Sequence, residues 1–211
     1  MSSFAKKTLK RQEKIEMKPF LTIGLCLLFT VVSGQDKVEW SPEFEMQFSD
    51  YKSTSSEING ELSIYSVSTS ANIEFFFSMS YYEFMFTKNF NEKVSTVLHR
   101  PSSYITSSSQ ELANQLVKFG QLEFDLSELS ARKFRKKLFE SKGTFSNTNF
   151  FKPLYDEIIT EQSNRHNELA KSTDLGKNVD VLIIEREKIL QEIAELSDYC
   201  KTCKPPKKQK P

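Results

Sequence analysis

Few side chains able to carry chemistry occur in this chain. Among 211 residues there are two histidines and three cysteines, which limits metal and thiol chemistry from the outset. His99 and His166 with Glu123 make up the inventory of a two-histidine, one-carboxylate zinc set. Their spacing gives no support to such a set, because His99 reads as a loop residue and His166 falls on a different helix from Glu123. Cys200-Lys201-Thr202-Cys203 is a C-x-x-C, but it follows a helix and precedes a Pro/Lys tail. A thioredoxin-like site needs the pair at a helix N-terminus, where the dipole lowers the thiol pKa. A small-loop disulfide in an oxidising compartment is therefore the expected state, with thiol redox chemistry a distant alternative. The run Arg132-Lys133-Phe134-Arg135-Lys136-Lys137 reads as a solvated helix end complementing the helix dipole, with an anionic envelope component as the minority partner. No Gly-rich phosphate loop and no Ser/His/Asp set appears at usable spacing.

The elements that must position these residues fall into two halves. Residues 36–106 read as strands and loops. Leu62 to Ser68 alternates apolar and polar residues with period two, the pattern of a half-buried strand. Asn72 to Phe86 is dense in Phe, Tyr and Met and suits one or two strands packed on both faces. Val94 to Leu98 is a further short strand, broken at Arg100-Pro101. From Ser109 the period becomes helical. Leu112, Leu116, Phe119, Leu122, Leu126 and Leu129 form an apolar stripe on a helix that runs to about Glu140 and stops before Gly143. Further helices cover roughly 152–171 and 178–199, separated by Ser172 to Gly176. Strands first and helices later predict an α+β fold, a strand-rich N-terminal half packed on about three C-terminal helices. The apolar side of the last helix is satisfied by the helix before it; a second copy of the chain is the alternative partner.

The first 34 residues read as an address. Six basic side chains between Lys6 and Lys18 precede a 13-residue apolar run, Phe20 to Val32, and Val32-Ser33-Gly34 offers a cleavage site before Gln35. This is the layout of a secretory signal peptide, and the run is shorter than the roughly 20 apolar residues that span a bilayer. Met17 is an alternative start that gives a more compact leader. The expected organisation is thus a signal peptide over 1–34, one domain over 35–199, and a flexible basic tail over 200–211. The product is expected to be periplasmic or secreted, with no transmembrane helix in the mature chain.

Composition agrees with a packed domain: 38% of residues are hydrophobic, 27% are charged, and 18 are Phe, enough for an aromatic-rich core. Removing six basic and two acidic residues with the leader leaves 23 basic and 26 acidic side chains, a net charge of −3. That balance gives no pull toward nucleic acid.

One segment carries a resemblance. Leu116 to Leu138 reads LVKFGQLEFDLSELSARKFRKKL. It resembles the central helix of a family of bacterial secreted proteins described as zinc-dependent proteases or as a domain of unknown function, whose helix carries H-E-x-x-H followed by F-D-[IL]-x-E-L-x-A-R-[KR]. The second half matches from Phe124 to Lys133. The first half does not: Phe119 and Glu123 stand at the two histidine positions and Gly120 at the glutamate position. The chemistry implied by the resemblance needs two imidazoles on one helix face to hold Zn²⁺ and a carboxylate to act as base on its water. Phe119 has no lone pair, Gly120 has no side chain, and Glu123 is one ligand where three are required. The resemblance thus implies a relative without catalysis, without a metal or other cofactor, with a binding or scaffolding role toward an envelope protein or ligand. A metal-dependent hydrolase with an atypical site, built on zinc with Glu123, His99 and His166, is the alternative. At 100° per residue, Phe119, Glu123, Leu126 and Ser130 lie within about 60° of one another. Glu123 is then a carboxylate within an apolar stripe, which requires a partner; Arg132, Arg135 and His166 are the candidates, and a half-exposed helix edge is the alternative setting.

Overall fold

In the computed structural model the described residues are 36–143 and 146–206. The expected signal peptide, both candidate start sites and the last five residues of the expected tail lie outside them.

The element that organises the fold is a 32-residue helix, Gln110–Ser141. Ser109 starts it by accepting a hydrogen bond from the Leu112 N–H, and the segment is rich in Leu, Lys, Glu and Gln, good helix formers, with little β-branching. It ends where the Lys142 N–H bonds to the Leu138 carbonyl, just before Gly143. At 1.5 Å per residue this helix is about 48 Å long.

Around it stand six short strands: β1 Lys37–Glu39, β2 Glu57–Ile58, β3 Ser66–Ser68, β4 Ala71–Phe75, β5 Val94–His99 and β6 Tyr104–Ser107. One sheet has the order β1-β5-β4 and is antiparallel throughout; the other is β2-β6-β3, with β2 parallel to β6. A short helix, α1 (Tyr81–Phe86), follows β4. The long helix is α2; α3 (Phe151–Ser172) and α4 (Val179–Glu195) complete the chain as a hairpin on it. The turn between them holds Asp174, Leu175 and Gly176 at φ 48°, 52° and 93°. A Cβ on Gly176 would stand 2.5 Å from the Gln115 carbonyl oxygen of α2, so this turn needs glycine both for its left-handed backbone and for close approach. The architecture is α+β, with the strand-rich half first and the helices after it, as the sequence predicts.

Differences from the sequence reading are local. Of the alternating run Leu62–Ser68, only Ser66–Ser68 pairs, because β6 offers it a partner over those residues alone; Ile64 is 69% exposed. The Phe-rich segment gives one strand, β4, and then a helix, whose first turn Ser80 caps by accepting from the Glu83 N–H. Its rings pack as a cluster (Phe77 on Phe84 at 5.2 Å, Phe84 on Phe150 at 5.8 Å) and not across two strand faces. The last helix stops at Glu195, short of 199, and continues as a 3-10 turn, Ser197–Tyr199. The basic run is not a solvated end: Arg132 and Arg135 are buried. The expected free tail begins tied down, since the Cys203 carbonyl accepts from Asn89 and Asn91. No helix among the described residues is long and apolar enough to cross a membrane.

Candidate functional site

The middle of α2 is enclosed on nearly all sides, and two buried carboxylates fix it there. Asp125 accepts from the Trp40 indole N–H at 2.9 Å, from the Gln121 amide at 3.1 Å and from Arg186 Nε of α4 at 2.8 Å. Glu128 accepts from Thr96 of β5 at 2.8 Å, from Arg132 Nε at 2.9 Å and from Arg135 Nη1 at 3.0 Å. The two guanidinium groups go further. Arg132 donates to the Ile193 carbonyl, and Arg135 donates to the Val94 and Tyr199 carbonyls. Every charge in this cluster has a partner, which is what burial of charge requires. Asp125, Glu128, Arg132 and Arg135 thus lock the helix between the strands and the hairpin.

Two residues before Asp125 on the same helix the setting is different. Glu123 is the partly exposed member of an otherwise buried stretch from Phe119 to Arg132. Its carboxylate meets His166 of α3, with Nδ1 3.1 Å from Oε1. Of the three candidate partners, His166 is thus the one that faces it; Arg132 and Arg135 are taken up by Glu128. The hydrogen bond to Glu123 raises the His166 pKa above its ordinary value, against the opposing effect of partial burial. The second oxygen, Oε2, is shielded from solvent and has no hydrogen-bond partner among the described residues.

This pair lies in a cleft of about 440 Å³ between β3, the outer side of β4 and helices α2 and α3. Asn72, Ser127, Tyr155, Gln162 and Ser163 bring polar groups to its walls, and Val67, Leu126 and Ile159 bring apolar ones. Ser127 Oγ accepts from the Gln162 amide at 3.0 Å and lies 3.0 Å from the Glu123 carbonyl, so α2 and α3 are cross-linked along the cleft floor.

The other predicted positions are accounted for one by one. Phe119 is 1% exposed, with its ring 6.1 Å from the His166 ring; it puts apolar bulk where the resemblance implies a metal ligand. Gly120 faces Tyr51: a Cβ there would lie 1.8 Å from the Tyr51 hydroxyl and 2.7 Å from Thr69 Oγ1. The phenol occupies the room of the missing side chain, and burial holds its pKa well above the ordinary tyrosine value. His99 ends β5 and does not sit in a loop; its Nε2 is 3.0 Å from Glu74, within a separate surface pair with Lys37. Cys200 and Cys203 are joined by a disulfide. Glu123 and His166 are brought together and His99 is not, and among the described residues no group of three or more His, Cys, Asp or Glu side chains could hold a metal ion. The donors present at the cleft do not fit a three-ligand zinc site.

Sequence reasoning missed Tyr51, Thr69, Ser127 and Gln162. The usable signal was Gly120, since glycine inside a long helix marks close approach of another group. The chain matches no protein-family profile, no curated protein and no solved structure.

Proposed function

We propose that this chain is an exported, non-catalytic relative of the secreted zinc protease-like family, acting as a binding protein of the bacterial envelope whose ligand enters the cleft over Glu123 and His166. The observation that carries the reading is the Glu123 carboxylate, held in a polar cleft with one oxygen satisfied by His166 and the other unpartnered. A buried acceptor without a partner costs about 1–3 kcal/mol, and a ligand that supplies a donor recovers that cost. The half of the helix pattern that matches the family builds the ion-pair scaffold through Asp125, Glu128 and Arg132. The positions where zinc chemistry would reside hold a phenylalanine, a glycine backed by a phenol, and a carboxylate bound to an imidazole. That division supports a retained scaffold serving recognition.

A second reading rests on the same pair. The approach of Glu123 and His166 at the cleft floor favours a hydrolase with an atypical site over one using His99. Zinc stoichiometry separates the two. The chain from Gln35 onward is dialysed against buffered micromolar zinc, freed of unbound metal and measured by mass spectrometry. The binding reading expects no retained zinc. Near one equivalent, lost in both Glu123→Ala and His166→Ala, would overturn it in favour of the hydrolase.

A further inference from the structure

Beyond the Glu123–His166 pair, the cleft holds unpartnered groups on the main chain. β4 is an outer strand, paired only with β5. Its bonds to β5 fall on alternate residues. In one register the Ser70 carbonyl accepts from the His99 N–H, and the Phe76 N–H donates to the Lys93 carbonyl. The Thr96 carbonyl, opposite Ile73, accepts instead from the Trp40 N–H just beyond β1. By the alternation of an antiparallel ladder, the N–H and C=O of Ile73 therefore point away from β5, to the free edge. Ala71 points the same way and is provided for: its N–H bonds to the Thr69 carbonyl and its carbonyl accepts from Ser127 Oγ. Neither group of Ile73 has such a partner among the described residues, although the residue is only 7% exposed. Buried main-chain groups are normally paired.

Other free groups share that space. Glu123 Oε2 is an acceptor without a donor. With Nδ1 against Glu123, His166 Nε2 has no hydrogen-bond partner among the described residues. Asn72 and Ser163 stand exposed on opposite walls. The charged residues lining the cleft are Glu123 and His166, and no lysine or arginine is among them. There is thus no cationic grip for a phosphate or a carboxylate, and the one carboxylate already has its counter-group. What is left is a set of donors and acceptors in mixed order. Beside them lies apolar surface: Leu126, Ile159 and the Tyr155 ring, which packs edge-on to Phe134 at 5.5 Å.

Resting on the reading of this cleft as a binding site, we propose that its ligand is a neutral saccharide ring of a glycan. Each sugar hydroxyl both donates and accepts. A few neighbouring hydroxyls therefore satisfy a carboxylate oxygen, a side-chain amide and the Ile73 pair without bringing in charge. The C–H face of the ring meets the apolar wall, the usual mixture of a small-ligand site. At about 440 Å³, the cleft lies within the roughly 300–1,000 Å³ of such sites. An extended peptide adding itself to β4 fits less well, because strand addition uses successive alternate residues of the edge. Here Ala71 is already occupied, and Phe75 packs in the aromatic cluster and does not line the cleft. Only the Ile73 pair remains, which suits a compact ligand.

The test is a titration of the chain from Gln35 onward, followed by the His166 ring signals in proton NMR. The probes are chitotriose, maltotriose and cellotriose, with sialyllactose as an acidic comparison. At least one neutral trisaccharide is expected to shift those signals saturably, with sialyllactose about tenfold weaker. Asn72→Ala, at an exposed position, should lower affinity about tenfold with an unchanged melting temperature. Glu123→Ala should lower it about 10- to 100-fold, and Ser163→Trp, which fills the cleft from its exposed wall, should abolish binding. No saturable shift from any neutral trisaccharide would overturn the inference, as would a preference for sialyllactose or binding that survives Ser163→Trp. A displayed library of random decapeptides, selected in parallel, separates the ligand class from the site. Peptides held by the parent and lost in Ser163→Trp, with no saccharide bound, would overturn the saccharide and leave the cleft a binding site. Retained zinc in the measurement described above would overturn that reading itself.

Discussion

Glu123 and His166 carry the electrostatics of the cleft, and the sign of their coupling is fixed. A histidine whose folded pKa is raised adds stability below its unfolded value, near 6.5, and loses that contribution as pH climbs through the folded value. In Glu123→Gln the partner charge is gone, so the stability difference from the parent should be largest in mildly acidic solution and shrink as pH rises past neutrality. His166 is 41% exposed at its side chain, so solvent screening limits the effect to below about 1 kcal/mol. Proton NMR should place the His166 midpoint above the ordinary histidine value in the parent and lower in Glu123→Gln; equal midpoints would sink the pairing. Part of this was legible in advance. A carboxylate within an apolar stripe demands a partner, and His166 was one of three candidates. What the sequence could not supply was that Glu128 takes both arginines first. Nor could it show Tyr51 in the space beside Gly120, because that contact joins distant segments and no local pattern records it.

At the scale of elements, the basic run after Glu128 gives the clearest lesson. Helical periodicity located α2, α3 and α4 to within a few residues, since a 3.6-residue stripe is read from one segment alone. Whether a charged residue on that helix turns inward depends on what lies opposite it. Arg132 and Arg135 turn inward because Glu128 and the carbonyls of Val94, Ile193 and Tyr199 await them. The strands were less legible for the same reason: β3 and β6 are three and four residues long, and β3 exists only where it finds β6. Glu128 joins α2 to β5 through Thr96 and anchors both arginines, so Glu128→Ala leaves two buried guanidinium groups without a counter-charge. The expected loss is about 3–5 kcal/mol in urea unfolding, while Thr96→Val, which removes a single hydrogen bond, should cost about 1–2 kcal/mol. Equal costs for the two would mean that the network is not held by the carboxylate.

For the whole molecule, α2 has the consequence of making three clusters into one cooperative structure. Ala113, Leu116 and Phe124 belong to the cluster with Leu98 of β5 and Ile105 of β6; Ala131, Phe134 and Leu138 belong to the aromatic cluster with Phe84 and Phe90; Phe119, Leu122 and Leu129 pack on Leu182, Ile189 and Ile193 of α4. A helix of this length cannot be ordered at one end and released at the other without exposing buried rings and carboxylates. The protein has a single tryptophan, and Trp40 sits at the middle of this arrangement. Its indole bonds to Asp125, and the Arg132 guanidinium lies 5.6 Å from its ring. It packs against the first and third clusters and not the aromatic one. Trp40 fluorescence and far-ultraviolet circular dichroism should therefore report one coincident unfolding transition. The discriminating variant is Phe134→Ala, in the aromatic cluster where Trp40 has no contact. Removing that fully buried ring should cost about 3–5 kcal/mol and move the Trp40 transition by the same amount as the circular dichroism. A Trp40 transition left in place while the helical signal shifts would mean that α2 does not couple the clusters, and that the cleft and the aromatic face belong to separately folding parts.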